Sequence, residues 1–242
     1  MGQTGIKKTS VVGVGIYSRA EAARLLKVTQ PRLRRWVLGY TYWLHMGEKE
    51  SLRKKPPVVS IDLPIMDDAV ALSFVELMEL RVVKAFIDNG IPLQRIRIAA
   101  ELAMRHFNTK HPFASGRVFT DGKNIFKELT REAETSQVLE LTKDRHLQIQ
   151  SAILLKPFLD EISFSSETSL AERWWPLSRA FPVVLDPKIA FGAPVVDGTA
   201  VRTDVVAGMA KASSKKSAAA AYLLSEKQVD AAVEFESLLA AA

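Results

Sequence analysis

The chain contains no cysteine. Disulfides and thiolate metal sites are therefore excluded, and a protein of the reducing cytoplasm is expected. No run of about eighteen apolar residues occurs, so no membrane-spanning helix is expected. The N-terminal stretch MGQTGIKKTSVVGVGIYS has lysines but no clean apolar segment before a small-residue cleavage site, and reads as no signal peptide. Catalytic signatures are also lacking. There is no Gly-x-Ser-x-Gly elbow and no phosphate-cradling G-x-x-x-x-G-K-[ST] loop. The four histidines, His45, His106, His111 and His146, are nowhere spaced three or four apart, so no helix presents a two-histidine metal site. His106 and His111 read as a helix end and a loop. The adjacent Asp67 and Asp68 read as acidity approaching a helix N-terminus, and the Gly-Val-Gly at 13–15 as a linker. The expectation is a protein that is not an enzyme, with no cofactor, no metal and no membrane partner.

What the chain has is an uneven distribution of charge. Residues 1–60 carry twelve Lys or Arg and three Glu, a balance of +9, while the remainder balances at −3 within the overall +6. Such asymmetry suggests one polyanion-binding end and a more neutral rest. With 48% apolar and 25% charged residues over 242 positions, the composition is globular and can bury a core.

The basic end has an ordered pattern. Ser18 and Glu21 stand at capping-box spacing and open a helix whose Ala22, Leu25 and Leu26 share a face. It stops near Lys27. Thr29 or Gln30 caps a second helix with Pro31 in its first turn. Leu33, Trp36 and Val37 form its inner face, Arg32, Arg34 and Arg35 lie outside, and Gly39 ends it. Two short helices with a basic outer face on the second follow the helix-turn-helix plan, in which that helix lies in a major groove and its arginines reach base edges or phosphates. YTYW reads as a strand and VVSI, after the basic loop RKKPP, as its partner. Such a hairpin makes a wing carrying Arg53, Lys54 and Lys55 toward the sugar-phosphate backbone.

Ser73 and Glu76 form a second capping box, with Leu72 and Leu77 as its hydrophobic staple. Phe74, Leu77, Met78, Arg81, Val83, Phe86 and Ile87 make a broad face, and Gly90 follows the helix end. Pro92 begins another helix, with Leu93, Ile96, Ala100, Ala103 and Phe107 inward and Arg95, Arg97 and Arg105 outward or lateral. Together, YSRAEAARLLKVTQPRLRRWVLG, a hairpin and LSFVELMELRVVKAFIDNGIPLQRIRIAAELA resemble the winged helix-turn-helix domain of the MerR family across about residues 16–107. The heptad run of that family's dimerising coiled coil does not follow here. The resemblance implies duplex DNA as partner, with Gln30, Arg32, Arg34 and Arg35 touching bases and phosphates and Tyr40, Tyr42, Arg53, Lys54 and Lys55 gripping backbone.

Residues 108–185 change character. Asp121-Gly122 suits a type I′ hairpin turn, LQIQSAIL alternates, and FLDEISFSSETSLAERWWPL mixes strand-like and turn-like pieces. A small antiparallel sheet is expected there, with one of Trp174 and Trp175 buried and the other half-buried. Further on, Thr203 can cap a helix running from Asp204, and Ser225 with Gln228 forms a third capping box stapled by Leu224 and Val229. The stretch from Pro187 through Ile189, Gly192, Pro194, Val195 and Gly198 to Thr199 resembles the Pro-x-Ile-x-x-Gly-x-Pro-Val-x-x-Gly-Thr pattern of VapB-like antitoxins. Where many members have Arg next, this chain has Ala200, with Arg202 two places on.

The expected fold is α+β, mainly α: a winged helix-turn-helix over 1–107, a small β-rich connection over 108–185 and a three-helix unit over 186–242. The resemblance implies an antitoxin that represses its own operon and neutralises a PIN-like ribonuclease, with Arg173, Arg179 and Arg202 as candidates to enter that nuclease's carboxylate cluster. Palindromic operators imply a homodimer or a higher assembly with the toxin. The alternative is a MerR-like regulator sensing a ligand in a pocket of Trp174, Trp175 and Phe181.

Overall fold

A computed structural model describes residues 13–46, 49–63, 70–117 and 160–241. The expected turn at Asp121-Gly122, the alternating LQIQSAIL segment, Asp67 and Asp68, and His146 lie outside them. Over the described residues the protein is α+β, with seven α-helices and small antiparallel sheets. Among them no helix is long and apolar enough to cross a membrane.

Strand β1 (Tyr17–Ser18) runs into helix α1 (Arg19–Leu26), and α2 (Gln30–Leu38) follows after a short turn. The Ser18–Glu21 capping box forms in both directions, satisfying two backbone donors at the helix start. Lys27 ends α1 in the left-handed region. Thr29 is the N-cap of α2 by backbone geometry but makes no side-chain cap bond. Strands β2 (Tyr40–Met46) and β3 (Lys49–Lys55) form an antiparallel hairpin.

That hairpin corrects the expected wing. The partner of YTYW is the charged KESLRKK itself, not VVSI. Pro56 and Pro57 end the ladder because proline has no N–H to donate. Val58 and Val59 then turn back as a buried strap, with the Val58 N–H donating to the Trp36 carbonyl at 2.8 Å.

Strand β4 (Ala71–Leu72) pairs with β1, setting the starts of α1 and of α3 (Phe74–Asp88) side by side. The Ser73–Glu76 box forms as well. After α4 (Leu93–Phe107) comes a single 3-10 turn, Pro112–Ala114. The Gly-Val-Gly expected to be a linker is tied down instead. The Phe74 N–H donates to the Val14 carbonyl and the Ile16 N–H to the Phe191 carbonyl, each at 3.0 Å.

Strands β5 (Ile162–Phe164), β6 (Ala171–Trp174), β7 (Val183–Leu185) and β8 (Pro194–Val196) form one antiparallel sheet in chain order, running on past residue 185. Its Ile162, Ala171, Trp174 and Leu185 join the same apolar cluster as Leu33, Trp36, Phe74, Leu77 and Phe86, so the sheet shares the core of the N-terminal helices. Helices α5 (Thr203–Ala212), α6 (Lys215–Tyr222) and α7 (Glu226–Ala240) close a second cluster of Val196, Val206, Ala218, Leu224, Val229 and Ala232. The Ser225–Gln228 box is present. Thr203 is not the cap of α5: Arg202 holds the N-cap position without a side-chain cap bond, and the Thr203 hydroxyl turns inward to Glu236 at 2.5 Å. Phe235 and Ala231 of α7 pack on Val183, with Leu25 of α1 alongside.

Candidate nucleic-acid interface

Helix α2 separates its apolar and charged residues. Leu33, Trp36 and Val37 are at most 2% exposed, whereas Gln30, Arg32, Arg34 and Arg35 are exposed. Among the described residues none of the three arginines has an ion-pair partner. The Arg32 guanidinium lies 5.3 Å from the Trp36 ring centre and that of Arg35 lies 5.8 Å from the Tyr40 ring. Cation–π contact holds the direction of a guanidinium without cancelling its charge.

The hairpin continues that surface. Strand alternation puts Tyr40 and Tyr42 on one face, with their cross-strand partners Lys55 and Arg53. The two tyrosine rings are 6.1 Å apart. Lys54, opposite Thr41, belongs to the other face. Of the expected wing residues, Arg53 and Lys55 therefore share a side with the tyrosines and Lys54 does not.

Helix α4 braces the hairpin's base. Arg97, expected outward or lateral, is buried at 5% exposure, and its Nε donates to the Pro56 carbonyl at 3.0 Å. Lys55 Nζ donates to Gln94 Oε1 at 3.4 Å. A long side chain can be buried on a helix if a carbonyl takes its donor, and the Pro56 carbonyl does so here.

A buried polar network holds the segment leaving the hairpin. His111 Nδ1 faces Glu79 Oε2 at 2.9 Å and Nε2 faces Asp62 Oδ2 at 2.8 Å. The Asp62 N–H donates to Glu76 Oε1 at 2.5 Å, the Phe113 N–H to Glu79 Oε1 at 3.2 Å, and Lys110 pairs with Asp62. Burial pushes the Glu76 and Glu79 carboxyls above their ordinary range, against the pull of their hydrogen bonds and of His111. Asp62, Glu76 and His111 each offer a ligand atom within 4.8 Å of the others, the group among the described residues able to hold a cation. Sequence reasoning missed it because Asp62 and His111 are 49 positions apart. Each of the three already has hydrogen-bond partners within the chain.

Arg81 ties α3 to the middle sheet. It pairs with Glu161 and lies 5.0 Å from the Trp174 ring centre, and burial lowers its pKa to about 10.

The three arginines considered for toxin contact are all engaged. Arg173 Nε donates to the buried Asp186 at 2.8 Å. Arg179 donates to the carbonyls of Asp160 and Ile162 and lies 4.2 Å from the Trp175 ring centre. Arg202 makes a two-pronged contact with Asp204, at 3.0 and 2.5 Å, and this raises its pKa. Only in that last pair are both partners about half exposed, at 52% and 48%.

Trp174 and Trp175 are both buried, at 3% and 6%, which corrects the half-buried expectation. They and Phe181 pack in three different apolar clusters. A cleft of about 260 Å³ does open between α1 and the C-terminal helices, edged by Glu21, Arg24, Phe191, Arg202, Asp204 and Glu236.

Residues 15–100 match a family described as "Putative DNA-binding HTH domain". The N-terminal part is thus similar to helix-turn-helix domains of DNA-binding type. Over 206 residues the chain is 29% identical to "Putative antitoxin VapB45" of Mycobacterium tuberculosis, covering 83% of this chain and 84% of that protein. It is 27% identical over 243 residues to the uncharacterized protein Rv2308 of the same organism, covering 94% and 92% of the two chains. The crystal structure of Rv2018 from M. tuberculosis shares its fold, with a TM-score of 0.69 at 24% identity over 92% of this chain and 98% of that one. The chain is therefore antitoxin-like in sequence, with a helix-turn-helix at its basic end.

Proposed function

We propose that this protein is a cytoplasmic antitoxin that represses its own operon by binding operator DNA and neutralises a PIN-like ribonuclease by direct contact, acting as a binder and not as a catalyst. The observation that carries the DNA arm is the row of exposed Arg32, Arg34 and Arg35 on α2, without an ion-pair partner among the described residues and continuous with the Tyr40, Tyr42, Arg53 and Lys55 face of the hairpin. Helix α2 enters the major groove while the hairpin face follows the phosphates. Two copies read the two halves of a palindromic site. DNase footprinting on the DNA upstream of the chain's own gene tests this arm. Protection of a pair of half-sites is expected, and no protection at moderate salt contradicts it.

The toxin arm is supported by the similarity to VapB45 and by the chemistry of Arg202. Arg173 and Arg179 hold buried or backbone acceptors. Arg202 shares only an exposed carboxylate, and an exposed pair of this kind is worth at most about 1 kcal/mol, so it exchanges partners readily. A guanidinium delivered into a cluster of metal-binding carboxylates pairs with them and displaces the metal. Replacing Arg202 by Ala should leave the fold and DNA binding intact and weaken inhibition of the co-expressed nuclease. Unchanged inhibition removes Arg202 from the contact.

The cleft beside α1 favours a second reading, a regulator whose small ligand sits between the DNA-binding domain and the C-terminal helices. Stabilisation by a metabolite in a thermal-shift screen, with no nuclease partner co-purifying, would favour it.

A further inference from the structure

The DNA reading uses one face of the β2–β3 hairpin, and the other face is unlike it. There Thr41, Trp43 and His45 stand opposite Lys54, Leu52 and Glu50. Trp43 and Leu52 are direct cross-strand partners and are 58% and 56% exposed. A tryptophan and a leucine adjoining on an exposed ribbon form an apolar patch of the kind that marks an interaction surface. The hairpin is a two-stranded sheet, so among the described residues the far edge of β3 has no strand beside it. Such an edge is a template for pairing with another chain.

The order of side chains along β3 indicates which chain. On the outer face β3 reads Glu50, Leu52, Lys54: acid, apolar, base, at alternate positions. Laid antiparallel against itself about a two-fold axis at Leu52, this sequence is its own complement. Leu52 meets Leu52 of the second copy, Glu50 meets Lys54, and Lys54 meets Glu50. A slip of one residue turns the set to the wrong face, and a slip of two sets charge against leucine, so a single register satisfies it. In that register Trp43, Leu52 and their counterparts form one apolar strip between two cross-strand ion pairs. On the inner face Arg53 comes opposite Ser51.

We propose that this hairpin edge is a two-fold interface between two copies of the chain, with β3 pairing to β3 to make a four-stranded ribbon and Glu50 and Lys54 forming reciprocal ion pairs. An isologous contact of this type uses the same patch on both subunits. It supplies a dimer surface in a chain whose sequence shows no coiled coil. It rests on the hairpin's own residues and not on the DNA reading.

Charge exchange tests it. The full chain is measured by sedimentation velocity without DNA at moderate salt. The wild type is expected to be a dimer. Glu50→Lys and Lys54→Glu, each alone, set like charges opposite each other twice per dimer and should weaken association about tenfold or more. Mixing the two single variants should restore a dimer, because each then carries the complement of the other, and the double variant should associate like the wild type. A misfolded variant would not be rescued by mixing. A monomeric wild type, single variants that dimerise normally, or mixing without rescue overturns the proposal. An Arg34→Ala, Arg35→Ala protein should still dimerise whatever happens to its DNA binding, so failure of one reading is distinguishable from failure of the other.

Discussion

The guanidinium of Arg35, near the end of α2, stands 5.8 Å from the ring centre of Tyr40, the first residue of β2. One residue, Gly39, separates the helix from the strand. Gly39 has a φ of +71°, and a Cβ there would run into the Lys55 carbonyl across the hairpin. Helix and hairpin can abut only because that position has no side chain.

Gly39→Ala should therefore be among the costlier single changes in the N-terminal domain. The left-handed backbone alone is worth about 1–3 kcal/mol, and the clash adds to it. Thermal unfolding should show the loss, and duplex affinity should fall with it because Arg35 and the hairpin face no longer share one surface. An unchanged melting temperature would mean that the hairpin is free to move off α2.

The Arg81–Glu161 pair predicts a second loss. Both side chains are largely buried, at 14% and 22% exposure, and the pair joins α3 to the middle sheet. Glu161→Gln removes a charged partner from a buried guanidinium and should destabilise the protein in denaturant unfolding, by up to about 3 kcal/mol. Its cation–π contact with Trp174 remains, so the fold should survive.

Glu79 makes the network around His111 respond to pH. Burial raises its carboxyl above the ordinary value of 4.5. The folded state then holds the proton at pH values where the unfolded chain has released it. The stabilisation is complete below the ordinary value and is lost as pH rises through the raised one. The difference in unfolding free energy between wild type and Glu79→Gln should therefore shift against the wild type as pH rises from 4.5 upward. A difference that is flat with pH would mean that Glu79 titrates alike in both states.

How far the sequence foretold this molecule depends on the distance between the residues involved. The Ser18–Glu21, Ser73–Glu76 and Ser225–Gln228 boxes lie within four residues each and form as read. The inner face of α2 follows from helical spacing alone. The partner of β2 was misread because KESLRKK is charged and has weak strand preference, whereas VVSI looks like a strand. What decides is the two prolines that end the ladder and the Trp36 carbonyl that captures Val58. The charge of Arg97 points outward or lateral, and its burial rests on partners far away in the chain: the Pro56 carbonyl, 41 positions off, and the Tyr40 side chain. The Asp62–His111 contact and the separation of Trp174, Trp175 and Phe181 into different clusters are products of tertiary packing, with no local signal.

The most direct measurement of the central claim is the salt dependence of operator binding by the wild type and by the Arg34→Ala, Arg35→Ala protein, followed by fluorescence anisotropy. Log affinity falls linearly with log salt, with a slope close to about 0.9 per phosphate neutralised. If these guanidiniums meet the duplex, the double variant binds far more weakly at moderate salt, and its residual binding shows a slope reduced by about one to two. Equal affinity and equal slope for the two proteins would contradict the account.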